Sequence, residues 1–240
     1  MYIYYPSCNF QKLFPDTAKK IRAYMNTQPD VKVAGCCHVT NSLPQEGDII
    51  VTVCMSCMHI LDEVRADIPG ISLFEFLLTR KDFPWPDFTG REMTLQDCFR
   101  ARGKHGLQDA VRECLKNMHV SYVEMEHNRD EEEFDGSFRL HDPFPNNMKE
   151  APAYYAQYLP AYVTPLPKEE WQGYYEEQAK KYTTDEVVGY CNTCVTGAQE
   201  GLLTSARADA RDDAQAEARA QAQARDSVAK AWHLAQLIFG

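Results

Sequence analysis

The sequence predicts a duplicated α/β fold, with Rossmann-like βαβ units in mostly parallel sheets related by a pseudo-twofold axis. Three observations carry this. Short apolar, β-branched runs alternate with helical stretches, the pattern of βαβ units. Cysteines follow the ends of those runs. The order of runs and cysteines also repeats. Ile49-Ile-Val-Thr-Val53 leads into Cys54-Met-Ser-Cys57, a helical stretch and then an apolar segment over 71–78. Val187-Val-Gly-Tyr190 leads into Cys191-Asn-Thr-Cys194, a helical stretch and an apolar segment over 231–238. Tyr2–Tyr5 before Cys8 parallels 93–96 before Cys98.

Taken in order, Tyr2–Tyr5 is predicted as an aromatic strand and 10–25 as largely helical. Pro15 marks a kink or the true start of that helix. Residues 31–34 form a strand leading to Cys36–Cys37. The nearly unbroken apolar run 49–53 suits a strand of a parallel sheet covered on both faces. A helix follows over 57–64 and another starts at Leu73. Residues 81–90, with two prolines and a closing glycine, read as the loop between copies. The second copy begins with a strand over 93–96, a helix over 106–118 and a strand over 120–125. The first repeat is thus placed at 1–80 and the second at 91–240, together one compact unit.

Two segments fall outside the repeat. Residues 144–185 hold seven tyrosines, Trp171 and several prolines, and read as two helices flanking a proline-containing turn. They are expected to cover the site or to wall a pocket. Residues 205–230, rich in Ala, Arg, Asp and Gln, read as a solvated helix without an apolar stripe.

The formal charge is −10 and no long basic run is present, which argues against a nucleic-acid groove. No apolar run approaches the ~20 residues needed to span a bilayer. The beginning of the sequence shows no basic start followed by an apolar stretch, so a cytoplasmic location is expected. Nine cysteines in such a chain are expected to be reduced, and to read as metal-binding or catalytic rather than as disulfides.

Five cysteines form the first set: Cys8, the pair Cys36–Cys37, and Cys54-x-x-Cys57. Thiolates two residues apart can reach one metal together, whereas the sulfurs of an adjacent pair diverge and suit two irons of one cluster. Soft thiolates select zinc, copper(I) or iron–sulfur clusters. Five exceed the four that structural zinc takes. The choice lies between a five-cysteine, noncubane cluster and a four-cysteine zinc or cubane site with one spare thiol.

The second set is Cys98, Cys191 and Cys194, and lacks a cysteine pair. Phe134-Asp135-Gly136 stands about where that pair would be. Three thiolates leave a fourth position for Asp135, His127 or His141, with zinc, a cubane with an exposed iron, or no metal as outcomes. Cys114 shares a helical face with Leu107, Ala110, Val111, Leu115 and Met118, and is read as core. His38, next to the pair, is either a catalytic proton donor at the metal edge or a surface-loop residue. His59 and His233 are read as packing residues, with His233 aligned by sequence to Leu73 or Phe74. The acidic run 129–135 lacks the spacing of a calcium loop and reads as solvated.

Gly35-Cys36-Cys37-His38, Val53-Cys54-Met-Ser-Cys57 and Tyr190-Cys191-Asn-Thr-Cys194-Val-Thr-Gly197 resemble the CCG-domain family. This is the duplicated cysteine-rich domain of the heterodisulfide reductases and of related iron–sulfur oxidoreductase subunits. The resemblance covers most of the chain. The sequence departs from it at His38, which replaces a glycine, in shorter first-copy spacings, and in the missing second pair. The resemblance implies a 4Fe–4S cluster, noncubane in type, on Cys8, Cys36, Cys37, Cys54 and Cys57. It also implies a second site, for cluster or zinc, on Cys98, Cys191 and Cys194. It implies electron transfer or disulfide reduction, with an electron-donor protein or other oxidoreductase subunits as partners and a small thiol or disulfide as substrate. The alternative is a metal-stabilised binding or assembly module without redox catalysis. A third reading is a stand-alone enzyme that activates a small thiol or sulfur substrate at an open iron.

Overall fold

The computed structural model describes residues 1–138, 145–211 and 230–240. The first repeat runs β1 (Tyr2–Tyr5), α1 (Cys8–Leu13), α2 (Pro15–Thr27), β2 (Val31–Val33), β3 (Ile49–Thr52), α3 (Met55–Val64), β4 (Gly70–Ser72) and α4 (Leu73–Leu78). The second runs β5 (Glu92–Gln96), a 3₁₀ turn (Phe99–Ala101), α5 (His105–Asn117) and β6 (Ser121–Glu124). An insertion follows, with α6 (Pro145–Glu150), a π-helical run (Ala153–Tyr158), α7 (Leu159–Tyr162), a 3₁₀ turn (Lys168–Glu170) and α8 (Trp171–Ala179). The repeat then ends with β7 (Glu186–Gly189), α9 (Asn192–Arg211), β8 (Lys230–His233) and α10 (Leu234–Phe239).

The strands form two four-stranded sheets, ordered β2-β1-β3-β4 and β6-β5-β7-β8. All pairings are parallel. The two orders are the same once the second repeat is counted from β5, so the duplication read in the sequence is a duplication of topology. The packing is reciprocal as well. Helix α4 of the first repeat lies on α5 of the second, and α10 of the second lies on α2 of the first. Phe74, Leu77, Leu107, Val111 and Cys114 share one apolar core with Ile21, Leu234 and Leu237. Cys114 is fully buried there, as a small core side chain.

Local chemistry explains the elements that periodicity missed. Pro15 opens α2 at its first turn, where its missing N–H costs nothing, so it marks the true start of that helix, as expected, with the short α1 before it. β4 has three residues, too few for a period-2 signal. It runs straight into α4, whose start is fixed by a capping box: the Ser72 hydroxyl accepts from the Glu75 N–H and the Glu75 carboxylate accepts from the Ser72 N–H. His233 does the same for α10, its Nδ1 accepting from the Ala235 N–H while Gln236 caps the His233 N–H. The strand registers Thr52↔Ser72 and Gly189↔His233 align His233 with Ser72, one position before Leu73. Its role is structural, as expected.

The predicted solvated helix over 205–230 enters the described residues as the end of α9. Residues 212–229, like His141, lie outside the described residues, and Lys230 belongs to β8 rather than to a helix. Among the described residues, no helix is long and apolar enough to cross a membrane.

Candidate metal centre

All eight candidate cysteines lie just beyond the carboxyl ends of parallel strands. Cys8 follows β1, Cys36 and Cys37 follow β2, and Cys54 follows β3 with Cys57 one helical turn on. Cys98 follows β5, and Cys191 and Cys194 follow β7. Strand ends on one side of an open parallel sheet face a common crevice, so residues remote in sequence converge there.

The second set makes the tightest group. The sulfurs of Cys98, Cys191 and Cys194 all lie within 4.8 Å of one another, and all three residues are buried. With a Zn–S bond of about 2.3 Å, tetrahedral sulfurs sit roughly 3.8 Å apart, so this spacing fits three ligands of one metal ion. Hydrogen bonds from Cys194 and Cys98 hold the Cys191 thiol well below its usual range. Burial pushes Cys98 and Cys194 up. The group thus favours one thiolate held by two thiols.

The Phe134-Asp135-Gly136 loop closes over this group. The Phe134 carbonyl accepts from the Phe99 N–H and from the Cys194 thiol, and the Asp135 carbonyl accepts from the Thr193 hydroxyl. Gly136 has φ +69°, and a Cβ there would sit 2.0 Å from the Thr193 carbonyl oxygen. Glycine is needed for both the backbone conformation and the contact. The loop is thereby held against Cys194 and the start of α9. Asp135 is fully buried, and the Tyr174 hydroxyl donates to its Oδ1 at 3.4 Å. His127, the other described candidate for a fourth ligand, is exposed and faces Glu126 and Glu131.

The first set is arranged differently. Its sulfurs make a connected line: Cys8 contacts Cys36, Cys36 contacts Cys37, Cys37 contacts Cys57, and Cys57 contacts Cys54. Hydrogen bonding with Cys57 lowers Cys37 and, against the effect of burial, brings Cys54 down to about 6. Cys8 lies at the exposed end of the line and Cys54 and Cys57 at the buried end. Ser7, beside Cys8, is held at φ 58°, an unusual conformation for a non-glycine residue. An extended row of five sulfurs suits a ligand set that spans several metal ions better than one tetrahedral ion.

The two sets meet. The Asn192 side-chain amide, inside the second Cys-x-x-Cys, donates to the Cys54 sulfur at 3.5 Å. Arg100, two residues after Cys98, donates to Ser56 inside the first Cys-x-x-Cys at 2.9 Å and to the Tyr155 hydroxyl at 3.2 Å. His59 Nε2 lies 2.8 Å from the Arg100 carbonyl and so carries its proton there, and the ring stacks on Tyr154. Burial and the adjacent Arg100 charge keep His59 neutral. His59 packs as expected, and also ties the halves together.

Tyr155 packs with Cys37, Cys54 and Cys57 in one apolar cluster, which makes the aromatic insertion a cover for the first set. The insertion also reaches the cysteine pair from outside, where His38 Nδ1 lies 3.2 Å from Glu150 Oε1.

Arg100, Asn192, Ser56 and Tyr155 were invisible to sequence reasoning. Each acts across the repeat boundary or from the insertion, so no local spacing marks it. The nearest signal was position: Arg100 adjoins a candidate ligand, and Ser56 and Asn192 lie inside the Cys-x-x-Cys turns. Comparison with protein-family models and with curated proteins finds no match to this chain. The donor set itself fits a soft metal: eight thiols at strand ends, three of them mutually within ligand spacing.

Proposed function

We propose that this chain is an iron–sulfur protein similar to the cysteine-rich subunit of heterodisulfide reductase, carrying metal on both cysteine sets and transferring electrons, with a thiol or disulfide as the reaction partner. The observation that carries this reading is convergence. Two sheets of the same strand order deliver eight cysteines to one region, five in a row and three in a compact group. Structural zinc would be served by four.

A 4Fe–4S cluster on the first set, noncubane in type, would supply one-electron steps to a disulfide. The chain's own residues support that role. Cys8 and Cys36 lie toward the outside, so the row of sulfurs can be approached from solvent at one end. Cys54, Cys57 and Cys37 are buried at the other under Tyr155, which excludes water. His38, held near the Glu150 carboxylate, is the group positioned to hold a proton for a departing thiolate. The second set takes a cluster or zinc. The electron donor is a partner protein or another oxidoreductase subunit, and thiolate ligation calls for a reducing compartment such as the cytoplasm.

One observation favours a second reading. Cys98, Cys191 and Cys194 are at most 2% exposed, so metal there can serve structure alone. In that reading the chain is a metal-stabilised assembly module. Iron and acid-labile sulfide analysis after anaerobic reconstitution separates the two. Iron with sulfide supports the redox protein. Zinc at full occupancy and no iron would reject it.

A further inference from the structure

Among the described residues two arginines are strongly buried, and they are neutralised in different ways. Arg112 is held by two carboxylates, Asp97 and Glu124, each at 2.6 Å. Arg100 is 2% exposed, yet among the described residues no carboxylate pairs with it. Its hydrogen-bond acceptors are neutral hydroxyls of Ser56 and Tyr155. The Phe138 ring lies 4.7 Å from its guanidinium carbon. Its Nε is buried without a partner. A buried charge without a counter-charge is strongly destabilising. A chain that keeps such a charge supplies the opposite one nearby.

The groups nearby that become anionic on binding a metal are the cysteines: Arg100 lies two residues after Cys98, and its side chain reaches Ser56, between Cys54 and Cys57. Its guanidinium leaves the backbone beside Cys98 and ends inside the Cys54–Cys57 turn, at Ser56. It therefore stands between the two cysteine sets and faces both.

We infer that Arg100 is the shared counter-cation of the two cysteine sets, a positioning residue that commits them to metal–thiolate assemblies of net negative charge. Metal sites with three or more thiolates carry such a charge, and burial leaves little water to offset it. The fixed guanidinium offsets it instead, and its hydrogen bonds to Ser56 and Tyr155 keep it aimed at both sets. This inference rests on the metal-binding reading above.

Cobalt(II) titration of the full-length metal-free protein tests it, read by thiolate-to-cobalt charge-transfer absorption and checked by zinc competition. Arg100→Gln removes the charge and keeps a polar side chain. Its cobalt affinity is expected to fall roughly 10- to 100-fold, the range found for groups that support metal ligands. Arg100→Lys keeps the charge and is expected to recover most of that loss. Circular dichroism monitors folding. If Arg100→Gln does not fold, Arg100→Lys against wild type decides: retained affinity supports the inference, and lost affinity overturns it. Equal affinity in Arg100→Gln and wild type overturns it while leaving the metal-binding reading intact. Arg100→Lys as weak as a folded Arg100→Gln overturns it too, because shape rather than charge would then be at work. A wild-type protein that binds neither cobalt nor zinc overturns the underlying reading, and this inference with it.

Discussion

The side-chain amide of Asn192 donates to the sulfur of Cys54 across 138 residues of sequence, at 3.5 Å. Asn192 begins the helix that carries Cys194, while Cys54 belongs to the first cysteine set, so this bond joins the two halves of the site. A hydrogen bond to a ligating sulfur withdraws charge and raises the reduction potential of the metal it serves. Asn192→Ala should therefore shift the first-set centre to a more negative potential in a spectroelectrochemical titration. An unchanged potential would show that this contact does not serve a metal-bound sulfur.

Ligand and bystander cysteines should separate cleanly. The Cys191→Ala/Cys194→Ala variant should lose the metal of the second set and retain that of the first. Cys114→Ser should retain all of it, at a stability cost of about 1–2 kcal/mol for a polar atom placed in the core. Metal per chain, measured by elemental analysis, checks both. Loss of all metal on removing Cys191 and Cys194 would mean one site shared by both halves.

Proton release gives an independent reading of the second set. Cys98 and Cys194 favour the thiol form while Cys191 favours the thiolate. Metal binding there must expel the two protons of Cys98 and Cys194, so affinity should rise with pH. Calorimetry of zinc binding in buffers of different ionisation enthalpy should count about two protons per ion. A count near zero would contradict the assignment of protonation states.

Gly136 tests the loop that closes over the second cysteine set. Gly136→Ala places a Cβ 2.0 Å from the Thr193 carbonyl oxygen and keeps a φ of +69° that alanine disfavours. The loop should move off the start of α9. The expected loss is of order 2 kcal/mol or more in urea denaturation, with weaker metal retention by the second set. Wild-type stability in this variant would contradict the packing described.

His233 makes the fold sensitive to acid. Burial lowers its pKa from 6.5 to about 4, and its Nδ1 must stay unprotonated to cap α10. The native state binds fewer protons than the unfolded chain between these values. The contribution is fully present above about pH 6.5 and lost as pH falls toward 4, up to about 3 kcal/mol. His233→Asn keeps an acceptor at the cap. Urea midpoints at pH 7 and pH 5 should differ less in this variant than in wild type, and equal differences would exclude His233 as a source of the slope.

The fold was legible because its signals are local. The runs at β1, β3 and β7 are apolar enough to be read as buried strands, and each is followed by a cysteine. β4 could not be read, since three residues carry no period, and its cap Ser72 became visible as the counterpart of His233 only through strand register. The connections between the sets were hidden for a different reason. Arg100 reaches Ser56 across 44 residues and Asn192 reaches Cys54 across 138, and such contacts leave no spacing in the sequence. His38, singled out by its position after Cys37, is found beside Glu150, a residue from the insertion that no pattern linked to it.

Electron paramagnetic resonance of anaerobically purified protein, before and after reduction and after addition of a thiol, tests the central claim most directly. The account predicts an iron–sulfur signal in one oxidation state, altered by thiol because the Cys8 end of the first sulfur row is open to solvent. A protein that is silent in every state, holds no iron and has all nine thiols free to react would contradict it.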